Sequence, residues 1–439
     1  MPETQTHVLI VGSGGREHAL AAAVARSPRC GRIFVAPGNA GTREVAENIP
    51  IDPTDFDGLV KLARDRGIGL TIVGPEAPLC AGIVDRFQKE GLRIFGPTRA
   101  AARIEGDKAY AKALMRAADV PTADARVFTR FEDARTYVLT RSEGLVVKAS
   151  GLAAGKGVVV CDTPAQTVLT LEKFMIERPF GDATDTVIVE ERLQGEELSV
   201  LALVSGRAIC ILETAQDHKR LGDGDTGPNT GGMGAFSPAP CATPKVLRAV
   251  ERDVLLPIVD ALARESHPYQ GVLYAGLMLT PAGPKVLEFN CRFGDPEAQA
   301  ILPRIRSDFL DLIEAVVDGR LEEADVQWDD GAAVCVVLAS RGYPGAVDDG
   351  KVIDGLEAAR RVPGVQVYHA GTRPLEHRIL SKGGRVLAVA GLGGNHEEAR
   401  RRAYEAVVCI HFDGMQYRTD IGDRALQTAG ACGGAGSAG

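Results

Sequence analysis

Residues 145–160 read LVVKASGLAAGKGVVV. An apolar run, a glycine-rich turn and a second apolar run follow one another, and Lys148 sits inside the first run. A phosphate-binding P-loop would require a glycine, four residues, Gly-Lys-Ser/Thr and then a helix. Here Gly157 occupies the Ser/Thr position, and valines follow where the helix would begin. The remaining reading is strand, turn, strand: a flap in which Gly151, Gly155 and Gly157 expose backbone amides around Lys156. Val146, Lys148 and Ser150 share one face of the first strand. Two lysines and free amides suit a triphosphate. A plain hairpin does not account for a lysine within an apolar strand.

Upstream, strands and helices alternate. HVLIVG (7–12) reads as a strand, Glu17 to Arg26 as a helix, IFVAPGNAG as strand and turn, and LVKLARDRG as a helix. LTIVGPEAP is again strand and turn, GIVDRFQKEG a helix, and RIFGP a last strand near residue 97. Such alternation implies a parallel sheet with helices on its faces and ligands at the carboxyl ends of its strands. The first such end is VGSGGREHA, residues 11–19. Gly12 and Gly14 fit a dinucleotide fingerprint, but Glu17 stands at its third glycine position. APGNAG, which carries Asn39, supplies no acid for a ribose diol. This disfavours a nicotinamide cofactor, and a single phosphate-bearing ligand on the 12–16 loop is favoured over an empty turn. Glu76, in GPEAPL (74–79), lies on the same sheet edge, held by flanking prolines. Solvated carboxylate and ligand contact are evenly balanced there.

Residues 100–122 read as helical, with Asp107 and Lys108 opening an alanine-rich stretch. VIVEERLQGEE (187–197) runs a strand into Glu190, Glu191, Leu193 and Glu197, a place for adenine and ribose or simply a charged turn. AQDHKRLGDGDTGPNTGGMGAFSPAP (215–240) is long and glycine-rich, and long loops are usually functional or disordered. Asp217 and Lys219 supply charge there, and His218 reads as structural. EFNCRFGD (288–295) ends a strand that otherwise reads as core. Glu288 and Asn290 face the same side, and one anionic and one neutral oxygen suit Mg²⁺ or Mn²⁺. Arg292 can grip a phosphate or carboxylate in bidentate fashion, and Asp295 lies just beyond. Further strands (VCVVLAS, VQVYHAG, RVLAVAG) and a helix with a capping-box signature at Asn395 and Glu398 follow. The last residues, small and polar, read as disordered.

The 439 residues suggest about three domains. The chain is 45% hydrophobic and 25% charged, as in globular proteins, and its net charge of −8 leaves no footprint for nucleic acid. Nine scattered cysteines without a CxxC pair suggest reduced thiols and a cytoplasmic setting. Neither a signal peptide nor an apolar run long enough for a bilayer is evident, so no membrane partner is expected. No exposed apolar interface is identified, so a monomer is the default expectation, with the oligomeric state open.

Together GSGGREHAL, APGNAGT, TIVGPEAPL, GLAAGKGV, QDHKR, DTGPNTGGMGA, YAGLM and EFNCRFGDPE resemble the phosphoribosylamine–glycine ligase (glycinamide ribonucleotide synthetase) family of ATP-grasp enzymes. These strings span most of residues 8–300 in the family's order, and weaker resemblance continues to about 425. Two departures are Ser150, where the family often has aspartate, and the glycine-rich tail. The resemblance implies ATP and Mg²⁺ or Mn²⁺, with glycine and 5-phosphoribosylamine joined through glycyl phosphate. It places Glu288 and Asn290 on metal. Lys108, Lys148, Gly151, Gly155, Lys156, Gly157, Glu190, Glu191, Leu193 and Glu197 fall on nucleotide. Gly12, Gly14, Gly15, Arg16, Asn39, Glu76, Asp217, Lys219, Arg292 and Asp295 fall on the joining substrates, with Arg292, Lys148, Asp217 and Lys219 catalytic. The implied architecture is α/β and α+β multidomain. An N-terminal three-layer α/β domain with a parallel sheet (1–105) precedes an ATP-grasp core (106–122 and 191–327) carrying an inserted β-rich flap (123–190). A C-terminal α/β domain (328–425) and a disordered tail (426–439) follow.

Rival readings are another ATP-grasp ligase or carboxylase using bicarbonate or formate, a non-catalytic nucleotide sensor, and a dehydrogenase. The sensor predicts loss of metal ligands or of the arginine, yet Glu288, Asn290 and Arg292 are all present. Glu17 argues against the dehydrogenase.

Overall fold

The structure, a computed structural model, describes residues 5–153 and 155–427. Strands β1 (Thr6–Gly12), β2 (Cys30–Pro37), β3 (Glu47–Asn48), β4 (Leu70–Val73) and β5 (Ile94–Phe95) form a parallel sheet in the order β3-β2-β1-β4-β5. The centres of β1 and β4 are fully buried, which is why they read as unbroken apolar runs. The order reverses at β1, so the crevice opens at Gly12, beside the end of β4. Glu76 differs from its expected setting: it opens the helix Glu76–Ala81 and does not lie in a turn.

Strands β6 (Ala125–Phe128), β7 (Val146–Ala149), β8 (Val158–Val160) and β9 (Val187–Glu190) form a small antiparallel sheet, β6-β9-β7-β8. Val147, Val189, Leu171 and Phe174 share its core with the helices Phe131–Leu139 and Pro164–Glu172. The second helix is fixed by a Thr163 cap with proline at its first position. The turn between β7 and β8 is the glycine-rich stretch read from sequence as a flap.

Strands β10 (Glu196–Gly206) and β11 (Ala208–Ile211) begin the main antiparallel sheet. The chain then passes through β12 (Gln216–Asp217), a hairpin of β13 (Arg220–Gly222) and β14 (Thr226–Asn229), and β15 (Gly234–Ser237). Strands β16 (Tyr269–Thr280) and β17 (Gly283–Asn290) complete the main sheet in the order β11-β10-β16-β17. Strands β18 (Ala332–Ala339), β19 (Val365–His369), the hairpin β20 (Thr372–Leu375) and β21 (Arg378–Ser381), and β22 (Arg385–Gly393) follow. Their sheet runs β12-β15-β18-β22-β19. Residues 215–240 are therefore not one long loop: two of their strands belong to the C-terminal sheet. β12 pairs with β15 inside this stretch, and β15 pairs with β18 about a hundred residues onward, beyond the reach of a local pattern.

Leu9, Phe34, Val200, Leu273 and Phe289 belong to one continuous cluster, so the N-terminal and main sheets share a core. Asn395 caps the helix His396–Val407 through the Glu398 amide, while the Glu398 carboxylate accepts from Gly394 N–H, one residue before the position a capping box uses. Residues 423–427 form a helical turn with Ala425 buried, so the expected tail disorder does not hold at 426–427; the remainder of that tail lies outside the described residues. Among the described residues no helix is long and apolar enough to cross a membrane.

Candidate active site

β17 carries the acid and amide of EFNCRFGD to the floor of a cleft of about 1030 Å³. Opposite β16 its register slips: Glu288 faces Gly276 and Val286 faces Leu277, which leaves Leu287 as an extra residue. The carbonyl of Leu287 accepts a hydrogen bond from Lys148 Nζ at 2.9 Å. A side chain at position 276 would sit 3.3 Å from Glu288 Cγ, so glycine there gives the carboxylate room. Lys219 Nζ lies 3.6 Å from Glu288 and 3.4 Å from Glu197. Burial alone would favour protonating Glu288, but Lys219, Lys148, Lys108 and Arg292 outweigh it and hold the carboxyl at about 2. An ionised carboxylate without a tight hydrogen-bonded partner, two residues from the Asn290 amide oxygen, is a hard-oxygen pair that fits Mg²⁺ or Mn²⁺.

The nucleotide side is built around Lys148. Its ammonium is 2.8 Å from Glu190 Oε2, and Lys112 Nζ is 3.0 Å from the other oxygen. Glu190 is 2% exposed and lines the cleft with its carboxylate engaged by the two lysines. Glu191 is paired with Lys285 at 3.0 Å; it, Leu193 and Glu197 line the cleft. Lys108, in the first turn of a helix capped by Asp107, also lines the cleft and donates to the Gly151 carbonyl at 3.4 Å. Burial lowers its pKa against the attraction of Glu288. Ser150 donates to Asp107 at 2.9 Å and accepts from Ala109 N–H, so this departure from the family pattern acts at the helix start and leaves Lys148 in place. Gly155 and Gly157 line the cleft; Gly151 does not, and Lys156 is exposed outside it.

On the opposite wall Arg292 is held by Glu105 at 2.9 Å, Glu76 at 3.3 Å and the Asn290 oxygen at 3.3 Å. Burial opposes its charge, but Glu105 and Glu76 prevail and push its pKa up. Asp295 meets Arg385 Nη2 at 3.2 Å and Gln299 at 2.7 Å; Arg385 and Arg16 hold its carboxyl low against burial. Asp217 behaves oppositely: burial and the nearby Glu297 carboxylate push its pKa well up, against Lys219. His218 is buried edge-to-face against Phe236 and held near a pKa of 4 by burial, as suits a structural residue.

The glycine loop departs from the expected phosphate cradle. Gly14 N–H is taken by the Glu17 carboxylate, which also pairs with Arg16 at 2.7 Å. A Cβ at Gly12 would lie 2.5 Å from Glu17, and one at Gly74 2.0 Å, so these glycines make room for an internal carboxylate. Gly15 packs against Gln299. Asn39 donates to the carbonyls of Ser13 at 2.9 Å and His369 at 2.7 Å and accepts from Gly41 and Thr42, so it fastens the loop to the C-terminal sheet. Of this group only Arg16 reaches the cleft, with Glu76 beside it; Gly12, Gly14, Gly15 and Asn39 do not line it. The sequence reading missed Glu105, Lys112, Glu297, Tyr274 and Arg385. Arg385 offers a usable signal, a charge that opens an otherwise apolar strand.

Three family models cover the chain in order: the phosphoribosylglycinamide synthetase N domain at residues 6–105, its ATP-grasp (A) domain at 106–298 and its C domain at 333–424. A phosphoribosylamine–glycine ligase of Rhodopirellula baltica is 51% identical over 430 residues, covering 96% of this chain and 98% of that one. One from Halalkalibacterium halodurans is 48% identical over 420 residues, with 96% and 97% covered. The crystal structure of the Thermotoga maritima phosphoribosylamine–glycine ligase superposes with a TM-score of 0.82 at 35% identity, over 94% of this chain and all of that one. The biotin carboxylase domain of Hydrogenobacter thermophilus 2-oxoglutarate carboxylase shares the fold, with a TM-score of 0.71 at 17% identity. With matching domains, relatives and fold, the chain belongs to the phosphoribosylglycinamide synthetase family, the phosphoribosylamine–glycine ligases of the ATP-grasp fold.

Proposed function

We propose that this chain joins glycine to 5-phosphoribosylamine at the expense of ATP, giving glycinamide ribonucleotide, ADP and phosphate, as a cytoplasmic step of de novo purine synthesis. The observation that carries the reading is the meeting in one cleft of Lys108, Lys148, Glu288, Asn290 and Arg292 beneath a glycine-rich flap. A carboxylate is a poor electrophile. Phosphorylating the glycine carboxylate turns one of its oxygens into a leaving group, and the amine of phosphoribosylamine then displaces phosphate.

Lys148 and Lys108 bind the nucleotide phosphates, with adenosine along 190–193 and Glu197. Glu288 and Asn290 would hold Mg²⁺ or Mn²⁺, which would supply positive charge to offset that of the phosphates during transfer. Arg292, held ionised between Glu76 and Glu105, stabilises charge on the transferring phosphoryl group or on the tetrahedral oxyanion. Arg16 and Glu76 take the phosphoribosylamine side, and Asp217, Lys219 and Asp295 lie where the substrates join. The flap excludes water, which would otherwise hydrolyse the acyl phosphate.

The test is ADP release with ATP, Mg²⁺, glycine and fresh phosphoribosylamine, each omitted in turn. ADP that requires both glycine and phosphoribosylamine is the expected result. A requirement for bicarbonate or formate instead would move the substrate assignment, and ATP binding without ADP release would make the chain a sensor.

A further inference from the structure

The turn Asn229–Gly232 is touched from three directions. From below, Thr230 N–H and its hydroxyl both bond the carbonyl of Lys219, the residue whose ammonium approaches Glu288. From the flap, the Val158 carbonyl accepts from Asn229 Nδ2 at 3.5 Å, and a Cβ on Gly155 would lie 3.7 Å from the Thr230 carbonyl. From the C-terminal region, Arg385 Nη1 donates to the Gly231 carbonyl and to the Asp295 carbonyl, both at 2.6 Å, while Nη2 pairs with the Asp295 carboxylate. Tyr343 Oη accepts from Gly231 N–H at 2.8 Å. A Cβ at Gly231 would stand 3.2 Å from that oxygen and 3.3 Å from Arg385 Cζ, so the turn is gripped closely.

We propose that Arg385 and Tyr343 are positioning residues that hold this turn as the seat of the flap and so keep water from the glycyl phosphate. The inference rests on the ligase reading above. Neither side chain touches the reacting atoms in this role. Arg385 ties the seat to Asp295, and Tyr343 fixes its backbone. If the seat loosens, the flap no longer closes over the intermediate. Water then attacks the acyl carbon, the carbon–oxygen bond to the phosphoryl group breaks, phosphate leaves, a proton passes to solvent and glycine is regenerated. ATP is consumed without product.

The experiment measures ADP and glycinamide ribonucleotide together in the full chain. The wild type should give them one to one, with no ADP from glycine alone. Arg385→Lys keeps the charge but cannot reach both carbonyls and the carboxylate. It should raise the ADP-to-product ratio several-fold and release ADP with glycine in the absence of phosphoribosylamine. Tyr343→Phe removes one oxygen and should show the same uncoupling to a smaller degree, and it carries the test if Arg385→Lys fails to fold. Coupled turnover in a folded variant of each, whatever its kcat, overturns the seat. A wild type whose ADP release ignores glycine or phosphoribosylamine overturns the ligase reading instead.

Discussion

The glycine loop after β1 and the end of β17 both bring charge to the same cleft, yet they are built in opposite ways. In the loop, the Glu17 carboxylate is satisfied inside the protein by Gly14 N–H and Arg16, and Asn39 makes bonds in both directions. At the end of β17, Glu288 keeps an ionised carboxylate whose nearest ammonium stands 3.6 Å away. A closed polar network contributes rigidity; an open charge held by surrounding cations is ready for a ligand. The two regions should therefore fail differently when cut.

The largest effect is expected at β17. Glu288→Ala should abolish turnover, a fall of about 10³-fold or more in kcat, because the cations around it lose a shared counter-charge and the metal proposed there would lose its charged ligand. The circular dichroism spectrum should stay near wild type, since the carboxylate makes no tight internal bond, while Tm should fall modestly because the cations that hold its carboxyl at about 2 lose their counter-charge. Near-normal kcat would refute the metal assignment and erase the contrast with the loop.

Asn39→Ala should give the opposite pattern. It strips acceptors from two buried amides and the donor from the His369 carbonyl, at a cost of about 3 kcal/mol in stability. Tm should drop and KM for phosphoribosylamine rise, with kcat in the folded fraction changed only a few-fold. A kcat collapse at unchanged Tm would return Asn39 to the substrate site.

Much of this was legible in the sequence because it is local. The alternation before residue 100 gives the parallel sheet, Gly157 excludes a P-loop, and a period of two puts Glu288 and Asn290 on one face. What escaped depends on closure in three dimensions. Glu17 was read as a broken fingerprint, and the structure shows that it occupies the turn itself. The pairing of Glu190 with Lys112 and Lys148 on either side joins three segments that no local pattern brings together. Glu105 meets Arg292 only because the N-terminal and main sheets share a core. β15 hides in a glycine-rich run because its inner partner, β18, comes from another part of the chain, and β12 joins the sheet through β15.

Asp217 lies between the two regimes and gives the smallest, most diagnostic effect. It is buried like the loop residues but unsatisfied like the β17 end. Burial, Glu297 and Glu197 raise its pKa, while Lys219 and Arg385 oppose. The native state therefore keeps a proton that the unfolded chain releases at about pH 3.9. Stability is full below that pH and falls as pH rises through the native pKa, because the unfolded state binds fewer protons across this window. Asp217→Asn removes the penalty without changing shape. Its Tm should match wild type at pH 3.5 and exceed it by a few degrees at pH 8. Activity should fall, since the amide cannot exchange a proton where the substrates join. A variant less stable than wild type at pH 8 would mean that the Lys219 attraction outweighs burial, and would place Asp217 with the satisfied residues of the glycine loop.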